Sequence, residues 1–194
     1  MAVRMRKSPR MPSNSRTKLD VALADVDAQI KHAVSFAGGT RGAPAAVAGV
    51  ARPGRPFTRA ATVLLAAAFE GYVESLVTET ATHLALSAEQ VRDLKTLVGR
   101  SHGSNIHHIH GLFATVGMPF VLDEIRWRGL PRGAVRTFVK DLSSRRNKIA
   151  HGTAPENARL ADVQRWRKLV ERLSNELDKK AADRVFSATN ARPW

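Results

Sequence analysis

The stretch from Thr58 to about Leu86 has its apolar residues spaced as on one face of a helix, and it constrains the fold more than any other part of the chain. A helix of this length with a broad apolar stripe must be covered by other helices. The stripe consists of Val63, Leu65, Phe69, Tyr72, Val73, Leu76 and Val77. Ala66, Ala67 and Ala68 within it allow close helix packing.

Further helical segments lie on both sides of this stretch. A first helix is predicted from about Thr17 to Phe36, and Gly38-Gly39 ends it. Ser87 begins a short helix that runs to about Gly99, with Gln90 placed as in a capping box. Later helices are predicted from about Gly133 to Gly152 and from about Ala158 to Phe186, with a short one over residues 105–113. The last long helix has a seam formed by Val163, Trp166, Val170, Leu173 and Leu177.

No segment alternates as a strand would, so we predict an all-α fold, an up-and-down bundle of four to five main helices. A length of 194 residues fits one domain. We expect a disordered basic arm over residues 1–16, a single helical domain over 17–186 and a C-terminal tail over 187–194. Residues 38–56, rich in Gly, Ala and Pro, are predicted as a loop.

The chain is strongly basic, with a formal net charge of +14. Six cationic residues precede the first acid, Asp20, but the rest of the chain is basic as well. Such an excess favours polyanionic partners, chiefly nucleic acid. Cysteine is absent, which excludes disulfides, thiolate nucleophiles and Cys-based zinc sites. No segment reaches the ~18 consecutive apolar residues expected of a membrane span, so we expect a cytoplasmic protein without a membrane partner.

The candidate site is the octapeptide Arg145–Gly152, at the end of the helix predicted to begin near Gly133. Arg146 occupies a position where the apolar stripe of that helix would place another apolar residue, so it lies toward packed surface. A charged side chain at such a position costs free energy unless it pairs with another side chain or binds an anion. Asn147 lies one turn before His151, so a cation, an amide and an imidazole share one edge of the bundle. An arginine can stabilise a phosphate and a histidine can exchange its proton.

A purely structural interpretation of the same residues is open. In it, Arg146 is an ordinary half-exposed arginine, Arg145 pairs with Asp141, and His151 caps the helix. An Arg-x4-His pattern alone is weak evidence. Four features of the surroundings favour the functional interpretation. They are the asparagine after Arg146, the glycine that ends the helix, the apolar flanks of the motif and the basic charge of the chain.

The stretch Leu142–Gly152 resembles the motif of HEPN domains, in which an arginine and a polar residue precede a histidine. The segment Ala68–Leu76 resembles the second-helix signature of the HEPN branch associated with ribosomal L-PSP proteins. Asn105–Phe113, followed by Val116-Gly117, resembles a further part of that branch. The resemblance covers roughly residues 57–180.

What the resemblance implies is a metal-independent endoribonuclease that needs no cofactor, in which two protomers pair so that their motifs meet across a cleft. It implies that His151 helps to activate the ribose 2′-hydroxyl, that Arg146 holds the scissile phosphate and that Asn147 supports them. It also implies a toxin or a component of phage defence, with an antitoxin or regulatory protein as a second partner. Arg145 and Lys148 would add phosphate contacts. The alternatives are a non-catalytic RNA-binding or protein-interaction module of the same fold, and a basic nucleic-acid-binding protein in which the motif is incidental.

Three other features are candidates for function. Glu70 interrupts an apolar helix and either pairs with Arg146, positioning it, or faces solvent. Arg126 and Arg128 flank Trp127 in a patch that either grips phosphates and stacks a base, or is a solvated loop with the indole tucked against the bundle. Four histidines, His102, His107, His108 and His110, form a polar rim, assist His151 from the RNA cleft, or bind a metal, which we regard as the least favoured of the three.

Overall fold

The computed structural model describes residues 11–36, 54–100, 105–152 and 158–194. These residues form seven α-helices and no strand, which confirms the all-α class. The helices are α1 (Asn14–Phe36), α2 (Arg55–His83), α3 (Ala88–Arg100), α4 (Ile106–Thr115), α5 (Val121–Glu124), α6 (Ala134–Ala150) and α7 (Leu160–Thr189). Four of them, α1, α2, α6 and α7, have 17 or more residues.

Helix α2 is the centre of the bundle and contacts α1, α3, α4, α6 and α7. Its predicted stripe is confirmed, because Leu65, Phe69 and Leu76 are almost fully buried and only Val63 is half-buried. Leu23 of α1, Phe113 of α4 and the seam of α7 pack into the same core. Burial of this continuous apolar surface is the main favourable contribution to folding.

An 18-residue window of α2 has a mean hydropathy of 1.4, so this helix is long and apolar enough to cross a membrane by length and composition. Half of that window is buried inside the fold. The apolar character of α2 is therefore explained only in part by the core.

Two short helices begin with the side-chain caps that their sequences offer. Ser87 donates its backbone N–H to Gln90 Oε1 at 2.9 Å, and Gln90 donates its own N–H to Ser87 Oγ at 3.3 Å. This is the predicted capping box at the start of α3. Asn105 accepts the backbone N–H of His108 at 2.9 Å and caps α4.

The predicted arm over residues 1–16 is wrong at its C-terminal boundary. Helix α1 begins at Asn14, and Ser13, Ser15 and Arg16 are buried. The hydroxyl of Ser13 donates to Asp178 on α7, and that of Ser15 donates to Glu79 on α2 at 2.6 Å. Residues 13–16 therefore belong to the folded domain, while residues 1–10 lie outside the described part. The predicted loop at 38–56 likewise falls mostly outside it, and Arg55 and Pro56 already belong to α2.

The predicted tail over residues 187–194 also begins too early. Helix α7 continues to Thr189, and the chain then turns at Asn190. Trp194 packs against the core and donates its indole N–H to Asp178 Oδ2 at 3.2 Å. Asp178 therefore receives hydrogen bonds from both Ser13 and Trp194, which brings the two ends of the described chain together.

Candidate functional site

The motif lies on the last turns of α6, whose apolar side is packed as predicted. The buried side chains of α6 are Val135, Phe138, Val139, Leu142 and Ile149. Arg146 follows them around the helix and is half-buried. Its guanidinium therefore lies at the boundary between the packed core and solvent, where an anion would be less screened than in open water.

The guanidinium of Arg146 is held by its neighbour in sequence. Its Nη1 donates to Asn147 Oδ1 at 3.0 Å, and both side chains are half-buried. Within the described parts of the chain Arg146 makes no ion pair, so Glu70 does not pair with it. The remaining donors of the fork are left for a ligand, since an arginine carries five N–H groups.

His151 is the C-cap of α6 and is exposed. Its backbone N–H donates to the carbonyl of Asn147 at 2.9 Å, and Gly152 follows with φ +66°. A glycine in this left-handed conformation is the usual end of a helix, so the predicted stop is confirmed. The imidazole makes no hydrogen bond or ion pair with any described residue, so neither ring nitrogen is engaged by the part of the fold that the structure describes.

Arg59 is a further positively charged group at this end of α6, and no pattern in the sequence pointed to it. It projects from the first turns of α2, and its Nη2 donates to the carbonyl of Ile149 at 3.3 Å. The last carbonyls of a helix lack partners within the helix and carry a partial negative charge. Arg59 therefore compensates the end of α6 and places a second guanidinium beside the motif.

The other predicted phosphate-binding residues lie in two places. Arg145 is half-buried and Lys148 is exposed, both within the motif segment of α6. Arg126 and Arg128 are exposed near the opposite end of that helix. Trp127 between them packs against Phe138, which precedes His151 by 13 residues, or about 20 Å of helix. One protomer therefore does not bring Arg126 and Arg128 to the motif.

Trp127 cannot stack on a nucleobase, so the prediction that it does is wrong, whereas phosphate binding by the exposed Arg126 and Arg128 stays a prediction. It is only 5% exposed, and the guanidinium of Arg172 covers its ring at 5.0 Å from the centroid. The alternative, an indole tucked against the bundle, is confirmed. Arg126 donates to the backbone carbonyl of Asp123, which holds it in the loop after α5.

Glu70 belongs to a separate group of titratable residues between α2 and α4. His108 Nε2 lies 3.9 Å from Glu74 Oε1, and the His108 side chain is only 10% exposed. Burial lowers the pKa of His108, while the nearby Glu70 opposes that shift. Burial, with repulsion from Glu70 added, raises the pKa of Glu74. Glu70 therefore acts on this group rather than on Arg146.

The histidines of α4 do not gather into a metal site. His107 is exposed, His108 faces Glu74, and His110 lies edge-on to Phe120 at 5.6 Å between centroids. Burial lowers the pKa of His110, and Asp123 opposes that shift. Among the described residues no group of three or more His, Asp or Glu side chains is placed to hold a metal ion. His102 lies outside them.

Comparison of the chain with protein-family models, with curated proteins and with solved structures finds no match. The site must therefore be interpreted from its own chemistry. The end of α6 presents a half-buried guanidinium fixed by an amide, an exposed imidazole one turn after that amide, and a guanidinium from α2.

Proposed function

We propose that this protein is a metal-independent endoribonuclease with a HEPN-like fold, in which Arg146, Asn147 and His151 form the active site. The observation that carries the proposal is the hydrogen bond from Arg146 to Asn147 one turn before an exposed imidazole. This arrangement supplies charge stabilisation and proton transfer, which are what transesterification of RNA requires from an enzyme. The ribose 2′-hydroxyl is already placed beside the phosphorus and needs no separate nucleophile.

In the proposed reaction the imidazole of His151 accepts the proton of the 2′-hydroxyl. The 2′-oxygen then attacks phosphorus, the bond from phosphorus to the 5′-oxygen breaks, and a 2′,3′-cyclic phosphate results. The departing 5′-oxygen takes a proton from an imidazolium on the opposite side of the phosphorus. Arg146 binds the non-bridging oxygens, whose negative charge grows as the new bond forms. Asn147 keeps the guanidinium in place during these steps.

A homodimer would supply the acid and the base from two opposed motifs, because attack and departure occur on opposite sides of the phosphorus. The surface we assign to pairing is the free face of α2, formed by Ala60, Leu64, Ala67 and Gly71, all exposed. This α2 face carries no charge, and its largest side chain, Leu64, is 41% exposed. Arg59 lies directly beside it in sequence and contacts the end of α6. Pairing through this α2 face would therefore bring the ends of two α6 helices near one another.

The resemblance to HEPN domains also supports the biological setting that we propose. In it the protein acts in the cytoplasm as a toxin or in phage defence, and an antitoxin or regulatory protein restrains it. The substrate is RNA, which agrees with a net charge of +14.

The test is cleavage of a labelled single-stranded RNA by the purified protein in EDTA. We expect wild type to leave cyclic phosphate ends, and Arg146→Ala and His151→Ala to lose at least a hundredfold in rate. Added imidazole should restore part of the activity of His151→Ala because the side chain is exposed. Arg92→Ala, an exposed cation on α3, serves as the matched control and should cleave as wild type does.

Two results would contradict the enzyme. RNA retention without cleavage, lost as salt is raised, would indicate the non-catalytic binding module. Cleavage that survives both motif substitutions would indicate a different active site or a contaminating nuclease.

A further inference from the structure

A second positively charged surface lies on α7, outside the motif. Its members are Arg165, Lys168, Arg172, Asn175 and Lys179, and all five are exposed. At 100° per residue they fall within about 80° of arc, and at 1.5 Å per residue they extend over about 21 Å. We call this surface the α7 stripe.

No ion pair among the described residues neutralises the cations of the α7 stripe. Arg165, Lys168 and Lys179 make no ion pair with any described residue. Arg167, on another face of the same helix, binds Asp27 at 3.0 Å and also binds Glu171. Glu171 lies outside the arc of the stripe, whereas Asp183 falls within that arc one turn beyond Lys179. The cations from Arg165 to Lys179 direct a positive field into solvent along their part of the helix.

The two central members of the stripe are held by their neighbours. The guanidinium carbon of Arg172 lies over the ring of Trp127 at 5.0 Å from the centroid, and the Arg172 side chain remains exposed. Asn175 accepts a hydrogen bond from Nε of Arg16 at 2.9 Å. Side chains fixed in this way lose less conformational entropy when they bind a ligand.

The stripe ends at an open depression of about 320 Å³. The residues around it are Met11, Pro12, Arg16, Asn175, Asp178 and Lys179. Met11 and Pro12 give it an apolar wall, Lys179 places an exposed cation at its edge, and Asp178 adds a carboxylate to its lining. A flat, partly apolar base fits such a surface when the attached phosphate lies on the stripe.

We infer that the α7 stripe binds the backbone of a single-stranded RNA segment that flanks the cleaved bond. The inference rests on the proposed function for the identity of the polyanion. Successive stripe positions are separated by about 4.5 to 6 Å along the helix axis, which is comparable to the separation of neighbouring phosphates in an extended strand. Arg165 marks the end of the stripe nearer in sequence to the motif. The stripe would bind this flanking segment outside the active site.

The test is equilibrium binding of a fluorescent 2′-O-methyl RNA twelve-mer, followed by anisotropy at several salt concentrations. This RNA lacks the 2′-hydroxyl nucleophile, so the measurement does not depend on cleavage. The stripe variant carries Arg165→Gln, Lys168→Gln and Lys179→Gln. The control variant carries Lys31→Gln, Arg92→Gln and Lys95→Gln, which remove the same charge from exposed positions on α1 and α3.

We expect the stripe variant to bind about 100-fold more weakly at 0.1 M salt, because each lost phosphate contact costs about fivefold there. The slope of log K against log salt should become shallower by about 2. The control variant should stay within a factor of two of wild type. Unchanged unfolding temperatures in both variants would show that the fold is intact.

Equal losses in the two variants would refute the stripe, since binding would then follow net charge alone. No loss in the stripe variant would refute it as well, as would binding of the wild type to an acidic protein or to anionic vesicles but not to the RNA. The outcome is separable from that of the nuclease proposal. If the protein cleaves RNA and the stripe variant binds RNA as tightly as wild type does, only the stripe proposal is refuted. If the stripe variant selectively loses RNA binding but the wild type does not cleave RNA, only the nuclease proposal is refuted.

Discussion

Replacement of Gly71 by alanine should stabilise the isolated protomer. Gly71 lies in the interior of α2, it is exposed, and a Cβ added to it would meet no atom within 4 Å. Alanine is therefore accommodated without strain, and it lowers the conformational entropy of the unfolded chain. We expect the free energy of unfolding to rise by about 0.5 to 1 kcal/mol, which corresponds to about 1 to 4 °C in Tm for a chain of this length.

The same substitution should weaken the proposed dimer. If two α2 faces pack closely at Gly71, each added methyl group overfills the contact, at a cost of about 1 to 3 kcal/mol. Thermal unfolding of dilute protein measures the first effect, and sedimentation equilibrium over a range of concentrations measures the second. A rise in Tm combined with a rise in the dimer dissociation constant is the expected pair of results.

Gly111→Ala is the matched control, because Gly111 lies in α4 with equally open surroundings. It should raise Tm and leave association unchanged. A fall in Tm for dilute Gly71→Ala would refute the description of the free α2 face. A dissociation constant unaffected by both Gly71→Ala and the bulkier Ala67→Arg would refute the assignment of that face to dimerisation.

Asp178→Ala removes the acceptor shared by Ser13 and Trp194. This substitution should lower the free energy of unfolding, measured in urea, by about 3 kcal/mol. Trp194→Phe removes only one of the donors, so an equal cost for that variant would contradict the prediction. Burial lowers the pKa of His108, so the unfolded chain binds the proton more readily. Stability should therefore be full above pH 6.5 and fall as the pH decreases through the lowered folded-state pKa, and His108→Gln should flatten Tm between pH 7.5 and 5.5. Gly117→Ala should lower the free energy of unfolding by about 1 to 2 kcal/mol in the same urea assay. The φ of Gly117 is +79°, and the new Cβ would lie 2.8 Å from the Arg184 side chain. An unchanged unfolding midpoint would contradict this strain and crowding.

Features set by local spacing were predicted well from the sequence. The stripe of α2, the seam of α7 and the apolar side of α6 are buried at the positions that helical periodicity indicates. The capping box of α3 formed as Ser87 and Gln90 predicted. These features depend on residues within a few turns of each other, so the sequence contains the whole interaction.

Features that depend on distant partners were missed. Residues 13–16 look like part of a polar arm until their distant partners are known, since Ser13 donates to Asp178, 165 residues away, and Ser15 donates to Glu79. Trp127 lies between two arginines in sequence, yet Phe138 and Arg172 enclose it. Arg59 joins the end of α6 only because α2 packs beside that helix. In each case tertiary packing overrides the local pattern.

The candidate site also contains features that local spacing predicts and features that depend on tertiary packing. Arg146, Asn147 and His151 fall on one helix end because they are neighbours in sequence, and spacing alone predicted that. Arg126 and Arg128 were grouped with them by charge, but charge carries no information about position along α6. Their separation from His151 follows from the packing of Trp127 on Phe138.

The meeting of Ser13 and Trp194 at one carboxylate places the first and last helical ends of the described domain side by side. A short linker could join these two ends without crossing the core, and the chain could then be cut at another position. Gly129 is a suitable place, since it is exposed in the connection between α5 and α6 and open space surrounds it. Such a circular permutant would begin just before α6. Its helices would pack in the same way although they follow one another in a different order along the chain.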